Sequence, residues 1–214
     1  MKKFLITRPE HDDTTHYLSN WSKECISEAK KRDIQVFDLN RERATRKETE
    51  SVLTKRKPQL VCLNGHGTFD KVGGHKDEVL IQAGENEDLL KNSIIYALSC
   101  QSGKTLGPSS IESGAKAYIG YKDDFIFAYN PKMMTKPTKD LTASLFLKPS
   151  NELINSLVKG KTVEEARKRS QQMSKKHLRK LMSSQSSEED ASLIRYIWWN
   201  MRNQVDHGDS KAKI

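Results

Sequence analysis

Two short stretches decide the fold. The first is Gln59-Leu60-Val61-Cys62-Leu63-Asn64-Gly65-His66-Gly67, and the second is Ile94-Ile95-Tyr96-Ala97-Leu98-Ser99-Cys100-Gln101-Ser102-Gly103. Each opens with an apolar run that does not alternate with polar residues, which is typical of a buried strand in a parallel sheet. His66 and Cys100 follow these runs and stand 34 residues apart. Because α/β proteins build their sites beyond the carboxyl ends of parallel strands, we expect both side chains at one edge of the sheet.

The chain before His66 alternates predicted strands and helices. Strands are predicted at residues 4–6, 34–39 and 59–63, with helices at about 12–31 and 44–56. This β-α-β-α-β order is the pattern of a parallel sheet with crossover helices. Asp12 is placed to cap the first helix, and Cys25 lies on the apolar face of that helix, so we interpret it as a packing residue.

The chain after His66 is predicted to contain a hairpin, a further strand and a helical C-terminal part. The hairpin covers about 68–81, a short helix 86–91, the strand 115–121, and a loop with exposed apolar groups 125–148. Helices are predicted from about 150, where Thr162 and Glu165 form a capping box, with a linker at 183–187. We therefore expect one domain over residues 1–207, with a helical part at about 150–200 and a frayed tail at 208–214.

The composition indicates a protein with a charged surface whose cysteines are reduced thiols. The net charge is +9, and residues 148–181 carry ten basic and three acidic side chains. A solvated helix face is the ordinary explanation for such a run. The three cysteines are widely spaced, which argues against a zinc site and against a disulfide scaffold, so we expect no metal and a cytoplasmic location. No apolar run approaches the ~20 residues of a membrane span.

His66 and Cys100 together favour nucleophilic chemistry, because a nearby imidazole helps to form the thiolate that reacts. The two motifs resemble those of the caspase-like cysteine peptidases (clan CD), which include caspases, metacaspases, gingipains, separase and the bacterial CHAT-type proteases. In that group one strand ends in His-Gly and a later strand ends in a small residue and Cys. The resemblance covers residues 59–122 and extends elsewhere only to the order of elements.

The second motif narrows the resemblance within that group. Ser-Cys-Gln-Ser-Gly at 99–103 is close to the Ser-Cys-His-Ser-Gly form of metacaspases and departs from the Gln-Ala-Cys-Arg-Gly form of caspases. The gap between His66 and Cys100 is also shorter than the ~50 residues of caspases. The gingipain, CHAT-type and metacaspase branches are therefore the nearer ones.

The resemblance implies a fold and a set of roles. The fold would be a caspase-like three-layer sandwich, an α/β structure with a mostly parallel central sheet and helices on both faces. Cys100 would attack the scissile carbonyl, and His66 would protonate the leaving amine. The backbone N–H groups of Gly67 and Cys100 would bind the oxyanion. No cofactor and no third catalytic residue are required, and His75 is the rival base.

The acidic residues suggest a specificity. A pocket for a basic side chain needs a carboxylate, and Asp77, Glu78, Asp123 and Asp124 are placed near the two motifs, although each is as readily a solvated loop residue. No arginine pair stands near Cys100 to hold an acidic substrate residue. We therefore expect cleavage of a specific protein partner after Arg or Lys, under the control of a separate protein, in bacterial defence or regulated cell death.

Two other functions stay open. The first is a non-catalytic interaction module on the same fold, with the basic segment 148–181 as its contact surface. The second is a nucleic-acid-binding protein that uses this segment. It is less favoured because the sequence has no groove-reading motif and no aromatic stacking platform.

Overall fold

A six-stranded sheet forms the centre of the protein in the computed structural model, which describes residues 1–183 and 187–214. The strands are β1 Lys3–Arg8, β2 Gln35–Asn40, β3 Leu60–Asn64, β4 Lys71–Gly73, β5 Val79–Gln82, β6 Ile94–Leu98, β7 Ala117–Tyr121 and β8 Gln204–Gly208. The central sheet has the order β2-β1-β3-β6-β7-β8 and is parallel except for β8. The two strands that precede His66 and Cys100 are therefore direct neighbours.

Helices cover both faces of this sheet. They are α1 Asp13–Trp21, α2 Lys23–Lys30, α3 Arg46–Arg56, α4 Leu106–Glu112, α5 Leu141–Val158, α6 Val163–Leu181, α7 Glu188–Ser192 and α8 Ile194–Asn203. Successive strand residues point to opposite faces. Phe4 and Cys62 thus pack with side chains of α1, α2, α5 and α6, whereas Leu5 and Val61 pack with α3, α4 and the β4–β5 pair. This arrangement confirms the predicted α/β three-layer sandwich.

The β4–β5 pair is an antiparallel hairpin that continues directly from the first motif. Gly67 and Val72 are paired in an antiparallel β-bridge. On either side of this pair, the Gly73 N–H donates to the His66 carbonyl at 2.8 Å and the Thr68 N–H donates to the Lys71 carbonyl at 3.0 Å. The hairpin predicted at about 68–81 is therefore present, and it fixes the backbone on both sides of Gly67.

Two helical boundaries differ from the sequence-based expectation. The helix predicted at 12–31 is divided at Ser22, whose hydroxyl donates to the Leu18 carbonyl at 2.6 Å. Helix α5 begins at Leu141 instead of about 150, because the buried Asp140 side chain caps it. Pro149 inside α5 cannot donate to the Leu145 carbonyl, and His177 Nδ1 of α6 donates to that carbonyl at 2.9 Å instead.

The loop that leads into α5 is less exposed than predicted. Phe125, Phe127, Tyr129 and Met134 are half-buried and pack against the core. The aromatic rings contact one another, with centroids of Tyr17 and Tyr129 4.7 Å apart. The expectation of exposed apolar groups between 125 and 148 was therefore wrong for these side chains.

The C-terminal segment contains a strand that the sequence did not predict. Strand β8 pairs antiparallel with β7 from Gln204 with Tyr121 to Gly208 with Ala117. The tail expected to fray also makes contacts, since Val163 donates its N–H to the Ala212 carbonyl at 3.0 Å and Ala212 is buried. Of the predicted linker at 183–187, residues 184–186 lie outside the described residues.

Within residues 1–183 and 187–214, no helix combines the length and the apolar character needed to cross a bilayer.

A buried arginine holds the carboxyl end of β1 in place. The Arg8 guanidinium donates to both oxygens of Asp38 on β2 at 2.8 and 2.7 Å and to the Ser19 carbonyl and hydroxyl on α1 at 3.0 and 2.9 Å. Arg8 is only 4% exposed. Since an isolated buried charge is costly, this network anchors the loop at residues 9–12 that follows β1.

Replacing Asp38 by Ala leaves the Arg8 charge buried without its carboxylate. We expect Asp38→Ala to lower the free energy of unfolding by about 3 kcal/mol, as for other buried pairs that lose one partner. Lys211→Ala, which removes an exposed ion pair with Glu164, should leave the free energy of unfolding nearly unchanged. Denaturant unfolding of the two variants checks this, and equal losses would show that the Arg8 network contributes no more than a surface pair.

Candidate active site

The first motif turns sharply as it leaves β3. Gly65 has φ +149°, and a Cβ there would lie 2.2 Å from the Gly73 carbonyl oxygen, so only glycine fits. Asn64 closes the strand end, since its side-chain amide donates to the Thr7 carbonyl at 2.8 Å. These contacts direct the chain out of the sheet, and the His66 side chain is 42% exposed to solvent.

The second motif meets the first through a backbone contact. A Cβ on Gly67 would lie 2.8 Å from the Cys100 carbonyl oxygen and 2.9 Å from Ser99 Cβ, so the two motifs touch where Gly67 has no side chain. Cys100 follows β6 directly, and Gln101 has φ +55°. The structure thus brings Gly67, which follows His66, against Ser99 and Cys100 at the carboxyl edge of β3 and β6.

The hairpin bonds leave the Gly67 amide free within the hairpin. In the Gly67–Val72 bridge, the two bonds run from Gly73 to His66 and from Thr68 to Lys71. The N–H of Gly67 takes part in neither. A backbone N–H that the hairpin does not use, in a residue packed against Cys100, is the kind of donor that stabilises a developing oxyanion.

The Cys100 thiol is half-buried, and Sγ lies 4.0 Å from the Phe125 carbonyl oxygen. Burial raises the pKa of this thiol, a backbone hydrogen bond at Phe125 opposes that effect, and the carboxylates of Asp124 and Asp123 raise the pKa further. The thiol is therefore mostly protonated at neutral pH in this state. Cys25 and Cys62 are fully buried in the core, as predicted for packing residues.

The predicted specificity acids divide between two places. Asp123 and Asp124 lie on the Cys100 side, where the Asp123 carbonyl accepts from the Gln101 N–H at 3.1 Å and the Asp124 carboxylate accepts from the Gln101 amide at 3.0 Å. Asp77 lies on the His66 side and its side chain is 61% exposed. The two sets thus flank the two motifs from different loops.

Asp77 contributes to an open pocket of about 270 Å³ beside the first motif. The residues that line the pocket are His66, Gly67, Thr68, Lys71, Gly73, Asp77 and Val79. Glu78, the fourth acid considered, accepts instead from the Arg46 N–H at the start of α3, at 3.0 Å. Its carboxylate is therefore engaged by α3, and it is the weakest of the four candidates.

An acid that the sequence analysis assigned only to helix capping contacts His66. Asp12 Oδ1 accepts from the Thr15 N–H at 2.7 Å and caps α1 as predicted, while Oδ2 lies 2.6 Å from His66 Nε2. Partial burial of the carboxyl opposes ionisation, but the bonds from Thr15 and His66 lower the pKa of Asp12 to about 2. Asp12 is thus ionised at neutral pH and holds one ring nitrogen of His66.

One further histidine, His11, lies beside His66, and His75 lies beside His11. The His11 ring centroid is 6.1 Å from that of His66 and 5.6 Å from that of His75. The rival base His75 therefore lies behind His11 in this row of rings. His11, Asp12 and His66 also form a group whose ligand atoms lie within 4.8 Å of one another, so these side chains have the donors to hold a metal ion.

The sequence carried little signal for this cluster. Asp12 is 54 residues from His66 in the chain. Its role as a helix cap already accounts for an aspartate at this position. The signal that was available is the sheet order, because a loop after β1 must lie next to the loop after its neighbour β3. That order is not readable from the strand sequences alone.

Comparisons with solved structures identify the class of fold. The chain has a caspase-like fold: it is similar to the Arg specific cysteine proteinase gingipain R with a TM-score of 0.64 at 12% identity, over 100% of this chain and 47% of that one. It is also similar to the Saccharomyces cerevisiae separase in its complex with securin, with a TM-score of 0.53 at 14% identity, over 97% of this chain and 12% of that one.

The likeness to these structures is one of fold. The chain spans about half the length of the gingipain R chain and about an eighth of the separase chain. No protein-family model and no curated protein matches the sequence. At this level of identity, the chemistry has to be argued from the site.

The state of the thiol leads to a measurable pH dependence. The thiolate is the form that reacts, so the alkylation of Cys100 by iodoacetamide should keep rising with pH above the range of an ordinary thiol. Asp124→Asn removes a negative charge that raises the pKa and should therefore speed alkylation at neutral pH and leave it unchanged at high pH. Mass spectrometry of the labelled chain measures both rates.

The control for this variant is Asp77→Asn, which removes an exposed carboxylate on the His66 side and should not change the alkylation rate. If Asp124→Asn reacts no faster than the wild type at neutral pH, the carboxylate does not act on the thiol.

Proposed function

We propose that this protein is a cysteine endopeptidase in which Cys100 is the nucleophile and His66 is the general acid and base. The observation that carries the proposal is the close approach of Gly67 to the Cys100 carbonyl oxygen and to the Ser99 side chain. This approach at one edge of a caspase-like sheet supports a site that combines a thiol, an imidazole-bearing loop and the Gly67 N–H. The fold alone does not require such a set.

The proposed reaction has two halves. The Cys100 thiol passes its proton to His66, the thiolate attacks the scissile carbonyl carbon, and the N–H groups of Gly67 and Cys100 bind the oxyanion that forms. The C–N bond then breaks while His66 gives a proton to the leaving amine, which leaves a thioester on Cys100. His66 next takes a proton from water, which attacks the thioester and releases the acid and the free thiol.

Asp12 has a positioning role in this proposal. Its bond to His66 Nε2 leaves the other ring nitrogen, Nδ1, for the proton transfers. A carboxylate on one side of an imidazole also stabilises the imidazolium that forms after proton uptake. Asp12 acts through His66 and does not touch the substrate.

The preference of the proposed enzyme is for a basic residue before the cut. Asp124 and Asp123 raise the pKa of Cys100, so their negative charge acts at the thiol. A bound Arg or Lys side chain would pair with these acids and would also relieve their effect on the thiol. Asp77, in the pocket beside His66, is the other candidate. Gingipain R, a neighbour in fold, is described as Arg specific.

Control by a separate protein is part of the proposal. The free thiol is mostly protonated at neutral pH, so the isolated chain is expected to be a poor nucleophile until a substrate or partner changes its surroundings.

The decisive experiment is a cleavage profile on a peptide library. At high pH, where the Cys100 thiol ionises, the wild-type chain should cut after Arg or Lys without a partner, and Cys100→Ala should lose this cleavage completely, because Cys25 and Cys62 are buried. Circular dichroism should show that Cys100→Ala keeps the fold. Asp124→Asn provides a second test. Cys100 of this variant should be alkylated faster than in the wild type, while the variant should cut basic sites more slowly.

Two results would contradict the proposal. Cleavage by Cys100→Ala at the wild-type rate would exclude Cys100 as the nucleophile. A wild-type chain that neither cuts any library member nor reacts with an acyloxymethyl-ketone probe at high pH would favour the non-catalytic interaction module on the same fold.

The role of Asp12 can be separated from its role as a cap. Asn caps helices as well as Asp does, so Asp12→Asn should keep the stability of α1. The side-chain amide of the variant would present an N–H donor to His66 Nε2. This would change which nitrogen of the His66 ring carries the proton. We expect kcat to fall about 10-fold or more, with KM little changed.

The matched control is Thr15→Ala, which removes the other half of the capping box. It should cost about 1 kcal/mol of stability and leave kcat of the folded enzyme close to wild type. An Asp12→Asn variant with wild-type kcat would show that the carboxylate does not position His66.

A further inference from the structure

Three side chains with metal-ligand atoms, those of His11, Asp12 and His66, lie close together, and Asp77 approaches one of them, His11. His66 Nε2 lies 2.6 Å from Asp12 Oδ2, His11 Nε2 lies 3.8 Å from the same oxygen, and His11 Nε2 lies 3.4 Å from Asp77 Oδ1. The ligand atoms of His11, Asp12 and His66 all fall within 4.8 Å of one another. These residues come from the loop after β1, the loop after β3 and the turn of the β4–β5 hairpin.

The His11 ring provides an independent sign that this cluster is a ligand site. Its side chain is 13% exposed, and both ring nitrogens are buried without a hydrogen-bond partner among the described residues. A buried polar atom without a partner destabilises the folded protein. Such atoms call for a bound water or ion, and the Nε2 atom of His11 already faces two carboxylates.

We propose that His11, Asp12 and His66 bind a divalent transition metal ion of the Zn²⁺ type, with Asp77 as the fourth ligand. Zn²⁺ takes four ligands in a tetrahedron at about 2.0–2.2 Å, so ligand atoms lie roughly 3.3–3.5 Å apart. The measured separations of 3.4 and 3.8 Å are close to this value. The 2.6 Å pair of Asp12 and His66 opens by less than about 1 Å when the metal replaces the shared proton.

The ligand set selects the class of metal. Two imidazoles and two carboxylates suit Zn²⁺ and its transition-metal neighbours, whereas Ca²⁺ and Mg²⁺ prefer oxygen ligands alone. No cysteine belongs to the set, so cysteine spacing in the sequence could not reveal it. The sequence-based expectation of no metal site followed from that spacing.

The metal would act on the proposed peptidase as a reversible inhibitor, and this consequence rests on the proposed function. With Nε2 bound to the metal, the neutral ring of His66 carries its one proton on Nδ1 and has no free lone pair. It can then neither protonate the leaving amine nor accept a proton from water. Binding of the metal would therefore remove His66 from proton transfer, and its release would restore His66, in both cases without a contact to Cys100.

The test combines a binding measurement with an activity measurement. Zn²⁺ binding is followed by competition with Co²⁺, whose visible absorption reports a four-coordinate site. The variants are His11→Phe, which keeps a ring in the buried position, Cys100→Ala, and the control His177→Gln on α6. Titrations with Ca²⁺ and Mg²⁺ alone complete the set.

We expect His11→Phe to weaken Zn²⁺ binding by about 100-fold or more, while Cys100→Ala and His177→Gln bind as the wild type does. His11→Phe should still cut the peptide library but resist inhibition by Zn²⁺. Ca²⁺ and Mg²⁺ should neither bind at the site nor inhibit.

Three outcomes overturn the inference: no Zn²⁺ binding by the wild type, equal binding by His11→Phe and the wild type, or loss of binding in Cys100→Ala. The last would place the metal on the thiol. If the wild type binds Zn²⁺ through His11 but cuts no peptide, the proposed function fails and the metal site stands.

Discussion

The site depends on one close backbone contact, that between Gly67 and Cys100. The space there is too small for any Cβ, since such an atom would lie 2.8 Å from the Cys100 carbonyl oxygen. Strand pairing from Leu60 with Ile94 onward brings the two chain segments side by side, and the hairpin bonds around Gly67 then fix its amide. The oxyanion donor, the histidine and the cysteine in the proposed mechanism are all placed by this one approach.

A second constraint is the double use of Asp12. One oxygen caps α1 and the other holds His66, so the helix start and the imidazole are fixed by the same carboxylate. The Arg8 network ties down the loop that carries it. The stability of the β1 end and the orientation of the proposed catalytic base are therefore coupled. The same loop also carries His11, which brings a potential metal ligand next to the base.

Sequence patterns predicted what depends on local chemistry. The apolar runs before His66 and Cys100 gave two parallel strands, and Thr162 with Glu165 gave the capping box of α6. Features that depend on tertiary neighbours were missed. Strand β8, Gln-Val-Asp-His-Gly, carries little strand propensity and exists because β7 offers an open edge. Phe125 and Phe127 pack on a core that is assembled from distant helices. The role proposed for His11 depends on residues that are near it in space and not in sequence.

The carboxylates near Cys100 act on the nucleophile itself. They raise the pKa of the thiol, and this keeps the free site in the thiol form. A cationic substrate side chain that pairs with Asp124 would weaken this effect. The acids that select the substrate in this proposal would then also restrain the nucleophile until that substrate is bound.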